Sequence, residues 1–176
     1  MRNFFYCLWI TGLSGSGKTT LAINTKNFLS SHGQNVVLLD GDTLRNSINS
    51  DLNFTMKSRD ENVRRIAETA KLLSNQSIIT IASVISPTNS QRQNAREIFG
   101  DNFHLIYLNA SLERCLKLDS KGLYKKARNH NIENFTGMTS PFEEPKEPNL
   151  EINTDKFNAE ETSQILIDYI SKEYNY

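Results

Sequence analysis

The chain has 176 residues, of which 38% are hydrophobic and 23% are charged, with 20 acidic and 20 basic side chains. This length suits one domain with its own core, and this composition excludes a disordered or fibrous protein. The balanced charge argues against general binding to nucleic acid or to a membrane surface, so any anion site must be local. No apolar run is long enough to span a membrane, and we expect a cytoplasmic protein. The spacing of Cys7 and Cys115 fits no metal or redox motif, which predicts buried free thiols.

Short apolar runs alternate with longer helical patterns along the chain. The predicted strands are Phe4–Ile10, Val36–Leu39, Ile78–Val84, Phe103–Leu108 and Leu150–Ile152. The predicted helices are Thr19–Ser30, Arg59–Leu73, Ser90–Phe99, Leu112–Leu118, Leu123–Asn129 and Ala159–Tyr174. Strands separated by helices of this length form βαβ units, so we predict one α/β domain over residues 1–176, with a five-stranded parallel sheet and helices on both faces. Uniformly apolar strands such as Val36–Leu39 are typical of burial on both faces.

A polar segment interrupts this alternation late in the chain. The stretch Thr136–Asn149 contains Pro141, Pro145 and Pro148 and follows a basic segment. Prolines at this density favour a loop over regular structure. We predict a mobile lid over roughly residues 119–149.

A glycine-rich motif links the first predicted strand to the first predicted helix. The motif reads Gly12-Leu13-Ser14-Gly15-Ser16-Gly17-Lys18-Thr19 and matches the P-loop pattern at every fixed position. Its glycines let successive backbone N–H groups point inward at a helix N-terminus, where they bind phosphate oxygens. Lys18 is expected to reach the β- and γ-phosphates of ATP, Thr19 to ligate Mg²⁺, and Thr20 to complete the donor site. The motif therefore predicts a P-loop kinase fold that uses ATP and Mg²⁺.

Two carboxylates follow the second predicted strand, in the sequence Asp40-Gly41-Asp42. The carboxyl ends of parallel strands face the ligand crevice, so both side chains should lie beside the P-loop. We interpret Asp40 as holding Mg²⁺ through its water shell and Asp42 as the base that accepts a hydroxyl proton. The alternative is a simple turn in which an aspartate caps a helix.

A charged helix start follows, in which Arg59 and Asn62 share one side with Arg65. A solvated face with a Glu61–Arg65 pair is the simpler interpretation, and for Arg64 we favour it.

Several later motifs, taken together with the P-loop, resemble those of the adenylyl-sulfate kinase family. The resemblance runs from about Leu8 to Thr154 and rests on Asp40-Gly41-Asp42 with Arg45, Asn49 through Phe54, Arg59 with Glu61-Asn62-Val63-Arg64-Arg65, Ile85-Ser86-Pro87, Lys121-Gly122-Leu123-Tyr124, and Phe135-Thr136-Gly137 with Ser140-Pro141-Phe142-Glu143. It implies a kinase that phosphorylates the ribose 3′-hydroxyl of a nucleotide carrying a sulfate–phosphate anhydride, adenylyl sulfate (APS). It also implies a homodimer.

The resemblance also implies roles for individual residues. Asp42, Lys18 and Lys121 would be catalytic, and Thr154 would lie near the adenine of ATP. The remaining residues would bind the acceptor: Phe54 and Phe135 by stacking on its base, Arg45, Arg59 and Asn62 at its phosphate and sulfate end, and Asn49, Ile85 and Ser86 nearby. Planar guanidinium groups suit tetrahedral oxyanions, and aromatic rings suit a flat base.

The sequence departs from the family pattern at a few positions. Ser47 and Asn53 replace glycines around the acceptor loop, and Ser58 replaces an aspartate. Leu118 replaces an arginine near ATP, and His130 replaces a glycine in the lid. Since many loop conformations accommodate only glycine, these changes put the acceptor in question and leave the ATP half intact.

Three other functions stay open. A branch of the same family, the cytidine diphosphoramidate kinases, phosphorylates a cytidine 3′-hydroxyl during capsule phosphoramidate synthesis, and its acceptor offers the same groups. A non-catalytic nucleotide sensor would keep the fold without activity. A small-metabolite kinase of the gluconate or shikimate type would share only the P-loop.

Overall fold

The computed structural model describes residues 5–119, 122–128 and 135–174. Their strands are β1 (Cys7–Thr11), β2 (Val36–Asp40), β3 (Ile79–Ser83), β4 (Phe103–Asn109) and β5 (Leu150–Asn153). Their helices are α1 (Lys18–Ser31), α2 (Gly41–Arg45), α3 (Met56–Ser74), α4 (Asn89–Phe99), α5 (Leu112–Lys117), α6 (Leu123–Arg128) and α7 (Ala159–Tyr174). Every predicted element is present, and no end is shifted by more than three residues. The short helix α2 was not predicted.

The strands form one five-stranded parallel sheet, as predicted, and their order in the sheet is β2-β3-β1-β4-β5. Strand β1 lies in the middle and pairs with β3 and β4. Strand β2 is an edge strand, and Val36, Val37 and Leu38 are only half-buried. The prediction that this apolar run is buried on both faces is therefore wrong, because an apolar run does not reveal whether a strand is central or at an edge.

Alternating side chains of β1 serve two cores on opposite faces of the sheet. Leu8 and Ile10 pack in a cluster that includes residues of α1 and α7. Cys7 and Trp9 pack in a second cluster that includes residues of α3 and α4. Both cysteines are buried free thiols, as predicted. This two-sided burial holds β1 rigidly, and the P-loop begins where β1 ends.

The second half of the predicted lid contacts the body of the domain. The Glu143 N–H donates to the Pro87 carbonyl oxygen (2.8 Å), and the Asn149 side chain accepts a hydrogen bond from Leu105 N (2.9 Å). Residues 135–149 contain no helix or strand, only an isolated bridge between Thr136 and Ser140. Lid motion remains a prediction. In the part of the chain that the structure describes, no helix is long and apolar enough to cross a membrane.

Candidate active site

The P-loop leaves the C-terminal end of β1 and becomes the first turn of α1. At Gly12 a Cβ would lie 2.7 Å from the Leu108 carbonyl oxygen, so a side chain has no room there. Gly17 precedes α1 with φ of 97°, a conformation that L side chains rarely adopt. These restraints turn the loop around a space at the helix N-terminus, where backbone N–H groups favour an anion.

Lys18 lies inside this loop and is 9% exposed. Its Nζ donates to the carbonyl oxygens of Gly12 (3.0 Å) and Leu13 (2.6 Å). These contacts keep the ammonium group at the loop, within reach of phosphate oxygens bound there. The arrangement fits the predicted role of Lys18 toward ATP.

Asp40 joins the P-loop to the acidic turn. Its Oδ2 accepts a hydrogen bond from Thr19 Oγ1 (3.1 Å), while its Oδ1 accepts from the N–H (3.1 Å) and hydroxyl (3.2 Å) of Thr43. Asp40 is therefore the cap of α2, as in the alternative interpretation, and also a partner of Thr19. Its role toward Mg²⁺ remains a prediction.

The donor set at this point fits Mg²⁺. Thr19 Oγ1 lies near the Asp40 carboxylate and 3.5 Å from Ser83 Oγ, so hard oxygen donors converge. The described residues contain no group of three or more His, Cys, Asp or Glu side chains that could hold a metal. Mg²⁺ usually keeps several waters and binds through one or two protein ligands and substrate phosphates, which matches this sparse set.

One cavity of about 960 Å³ joins the P-loop to the acceptor residues. We call the P-loop side, with Asp40 and Thr154, the donor half, and the opposite side the acceptor half. Most predicted site residues line the cavity: Ser14, Gly15, Ser16, Gly17, Lys18, Thr19, Thr20, Asp40, Asp42, Arg45, Phe54, Arg59, Asn62, Ile85, Ser86, Phe135 and Thr154. Gly12 and Leu13 of the P-loop do not line this cavity, and Leu13 lines a separate cavity of about 640 Å³. Lys121 and His130 lie outside the described residues.

Two arginines surround Phe54 in the acceptor half. The guanidinium carbons of Arg45 and Arg59 lie 4.6 and 5.7 Å from the centre of the ring, which is 51% exposed. Burial lowers the pKa of both arginines; Asp42 opposes the shift at Arg45, and Arg45 adds to it at Arg59. Two partly desolvated cations in one wall favour an anionic ligand, because an anion would offset their burial and their mutual repulsion.

Asn49 does not line the cavity. Its side chain is fully buried, and its Nδ2 donates to Asn62 Oδ1 (3.0 Å). A direct contact between Asn49 and the acceptor, as expected from the sequence, does not fit this position. Asn49 instead orients Asn62, which does line the cavity.

The acceptor loop accommodates its substituted positions without left-handed backbone. Ser47 and Asn53 are absent from the described non-glycine residues with positive φ, which are Ser77, Ser86 and Asn102. Asn53 Oδ1 accepts hydrogen bonds from Thr55 N (3.0 Å) and Thr55 Oγ1 (2.7 Å), and Thr55 caps α3 by accepting from Ser58 N. Ser47 and Asn53 therefore replace glycine without adopting a backbone conformation that only glycine accommodates.

The expected surface pairing on α3 is present. Glu61 accepts hydrogen bonds from Arg64 and Arg65, and Arg65 also pairs with Asp51 (2.7 Å) in the acceptor loop. These two arginines lower the Glu61 pKa to about 2. The network connects the acceptor loop to α3 at the protein surface.

Phe135 reaches the cavity from the other side. Its ring packs edge-on against Tyr124 at 4.8 Å, and the Tyr124 hydroxyl donates to the Ser14 carbonyl oxygen of the P-loop (2.8 Å). The P-loop, α6 and the end of the lid segment thus meet at one point.

Comparison with known proteins decides the family. The family model described as "Adenylylsulphate kinase" matches residues 5–153. The chain belongs to the adenylyl-sulfate kinase family. It is 48% identical over 165 residues to the adenylyl-sulfate kinase of Halothermothrix orenii, covering 94% of this chain and 89% of that protein. It is 46% identical over 165 residues to the adenylyl-sulfate kinase of Clostridium acetobutylicum, covering 94% of this chain and 82% of that protein.

Solved structures agree with this membership. The APS kinase CysC of Mycobacterium tuberculosis, in complex with AMPPNP and APS, matches with a TM-score of 0.91 and 38% identity, over 95% of this chain and 98% of that one. A sugar kinase from Janibacter sp., at 16% identity and a TM-score of 0.66, shows only that the fold is shared. As a member of the adenylyl-sulfate kinase family, the chain is a phosphotransferase that acts on a hydroxyl group and uses ATP with Mg²⁺.

Some cavity residues of this adenylyl-sulfate kinase family member were not predicted. Arg114, Phe157 and Asn158 also line the cavity, the last two close to Thr154 in sequence, and Ser83 lies beside Thr19. Ser83 could have been found, because it ends a strand paired with the one that ends at Asp40. The other three follow helix or loop patterns without a distinctive signal.

Proposed function

We propose that this kinase transfers the γ-phosphoryl group of ATP to the ribose 3′-hydroxyl of adenylyl sulfate. The observation that carries the proposal is the acceptor wall formed by Phe54, Arg45 and Arg59, in the same cavity as Asp42 and the P-loop. Its aromatic ring suits a base, and its two cations suit a phosphate with a second oxyanion attached.

The donor half binds and holds the leaving phosphates. Backbone N–H groups of the P-loop and the Lys18 ammonium lie where β- and γ-phosphate oxygens would be bound. Mg²⁺, held through Thr19 and the Asp40 carboxylate, would supply neutralising charge to the phosphate oxygens. Transfer is then a matter of positioning and charge stabilisation, with no covalent enzyme intermediate.

Asp42 stands between the two halves. It follows Asp40 by two residues at the start of α2 and lines the cavity with Arg45. Its carboxylate orients the 3′-hydroxyl and accepts the proton as the phosphoryl group is transferred. Ser86 takes no covalent role here, because its hydroxyl accepts from Trp9 Nε1 (3.0 Å) and donates to Thr11 Oγ1 (3.2 Å).

The relatives described above carry names that refer to adenylyl sulfate, and nothing observed specifically favours the cytidine acceptor. Homodimer formation and a cytoplasmic location also remain predictions. Light scattering of the purified protein would test the first.

The proposal is tested by ADP production from Mg²⁺-ATP, with adenylyl sulfate and cytidine diphosphoramidate as acceptors in parallel. We expect turnover with adenylyl sulfate and a new phosphorus resonance from a 3′-phosphomonoester. AMP, which lacks the sulfate, serves as the matched poor acceptor. A preference for the cytidine compound would overturn the assigned acceptor, and no turnover with any acceptor would favour the non-catalytic sensor.

A further inference from the structure

Arg92 is a buried cation that the mechanism above does not use. It lies on α4 and is 2% exposed. Its Nη1 donates to the Ser86 carbonyl oxygen (2.6 Å), and its Nη2 donates to the Glu143 carbonyl oxygen (2.6 Å) and to Asn89 Oδ1 (2.8 Å). A buried charge is costly unless it is well hydrogen-bonded, so this guanidinium has a specific structural task.

The two carbonyl groups belong to different parts of the active site. Ser86 lies in the loop formed by residues 85–87, which lines the cavity next to the acceptor half. Glu143 lies in the second half of the predicted lid, eight residues after Phe135. The same two segments are also joined directly, since Glu143 N donates to the Pro87 carbonyl oxygen (2.8 Å) and Asn89 N donates to Glu143 Oε2 (2.7 Å). Arg92 therefore donates to both the 85–87 loop and the second half of the predicted lid.

The backbone at Ser86 depends on its surroundings. Its φ is 39°, a region that a residue with a side chain rarely occupies unless neighbouring contacts hold it there. The Ser86 hydroxyl is held from the centre of the sheet by Trp9 and Thr11. Its carbonyl group is held by Arg92. Loss of the Arg92 contact would release one of the two restraints on this conformation.

Arginine suits this position for chemical reasons. Its planar fork can donate to two separate carbonyl groups at once, which a lysine ammonium does with less defined geometry. The Phe142 ring lies 5.5 Å from its guanidinium carbon and packs against Tyr107 at 6.0 Å, which fixes the orientation of the fork. Burial lowers the Arg92 pKa to about 10, so the group stays protonated at neutral pH.

We propose that Arg92 is a positioning residue that joins the 85–87 loop at Ser86 to the second half of the predicted lid at Glu143, so that the two segments hold one position relative to each other. The kinetic test of this proposal rests on the proposed function, because it measures KM for adenylyl sulfate. Arg92 does not line the cavity, and it acts on the acceptor only through the backbone of residues 85–87.

The kinetic test compares Arg92→Lys with Arg96→Lys. Arg96 is a matched control on the same helix. It also donates to a carbonyl oxygen (Phe103, 3.4 Å) and to a side chain at the end of the predicted lid (Asn149, 3.0 Å), but it makes no such contact with the 85–87 loop. We expect Arg92→Lys to raise KM for adenylyl sulfate by about 10-fold or more while KM for ATP changes by less than about 2-fold. Arg96→Lys should leave both values near wild type. Equal effects of the two variants, or equal effects on both substrates, would overturn the proposal.

Amide hydrogen exchange tests the same link without catalysis. In Arg92→Lys, peptides that cover residues 85–89 and 142–144 should exchange faster than in wild type, whereas those of the P-loop should not. Asn89→Ala, which removes one of the three contacts from a half-buried position, should give a smaller change in the same peptides. If wild type fails to phosphorylate adenylyl sulfate, the proposed function falls and exchange still decides the role of Arg92. Unchanged exchange in both segments would overturn that role.

Discussion

The donor and acceptor halves of the cavity are held together by different kinds of contact. The donor half is built around one continuous loop, the P-loop, whose shape is set by its own backbone and by the neighbouring strand β4. The acceptor half is formed by α2, α3, the loop after β3 and the second half of the predicted lid. Side chains connect these parts: Arg45 to the Leu52 and Asn53 carbonyl groups, Asn49 to Asn62, and Arg92 to Ser86.

This difference says where substitutions can alter function. Backbone-built sites tolerate few changes, because glycine conformation and close contact fix them. A half assembled from side-chain contacts can be altered one contact at a time. We therefore expect donor binding and acceptor binding to respond separately to substitutions, and the predictions below test that separation.

The largest effect is expected at Asp42, where the two halves meet. Asp42→Asn removes the proton acceptor while keeping the size of the side chain, and kcat should fall by about 10²- to 10⁴-fold. ATP affinity, measured by calorimetry, should change little. Asp101→Asn, at an exposed turn after α4, is the matched control. Near-normal turnover of Asp42→Asn would refute its role as base.

An intermediate effect is expected at Phe54 and should be confined to the acceptor half. Phe54→Ala removes the ring that lies beside Arg45 and Arg59 and should raise KM for the acceptor by about 10-fold, given the usual strength of base stacking. Phe54→Tyr should retain most of the affinity. The control is Leu72→Ala, which removes an exposed apolar side chain near the C-terminal end of α3. An equal rise in KM for ATP would contradict the separation of the halves.

A smaller effect is expected from restoring charge to the donor half. Leu118 is 51% exposed and lines the cavity. Leu118→Arg should lower KM for ATP by about 2- to 5-fold at low salt, because an exposed cation attracts the phosphates and salt screens that attraction. Leu118→Gln is the control, because it adds a polar side chain without a charge. A gain that survives high salt would mean that the arginine acts by packing.

The smallest effect is expected at Glu61, whose pKa is lowered to about 2 by Arg64 and Arg65. An acid with a lowered pKa in the folded state stabilises that state above its ordinary pKa, 4.5 here, and this stabilisation is lost as the pH falls toward 2. Glu61→Gln should therefore reduce the difference in melting temperature between neutral and acidic solution. Because the pair is largely exposed, solvent keeps the change small. Glu68→Gln, 3.8 Å from Arg64, should respond to acid like wild type.

The sequence was sufficient for the number of strands and for the P-loop with its flanking strand and helix, because these signals are local. An apolar strand, glycines at fixed spacing and a helix are contiguous, and the structure places them as predicted. The edge position of β2 and the five-residue helix α2 gave no comparable signal. An aspartate after a strand also left two interpretations of Asp40. The structure shows that one carboxylate oxygen caps α2 and that the other accepts a hydrogen bond from Thr19, so the cap is confirmed and the role toward Mg²⁺ stays a prediction.

The acceptor half was harder to predict, because the roles of its residues depend on where their side chains point and on contacts between residues distant in sequence. Asn49 belongs to the right motif, but its side chain turns inward toward Asn62. Asn53 replaces glycine without positive φ, which composition alone did not indicate. Arg92 resembles any polar residue of a surface helix until the fold brings Glu143 beside it, across 51 positions of sequence.

The central position of β1 has a consequence for how the protein folds. β1 pairs with β3 and β4, and the next strand in sequence, β2, lies beyond β3. β4 is synthesised after the P-loop, and its Leu108 carbonyl oxygen lies where a side chain at Gly12 would be. Such non-local pairing makes folding slow and leaves apolar strands exposed meanwhile. We therefore expect the P-loop to reach its phosphate-binding conformation only after β4 has been synthesised and has paired with β1.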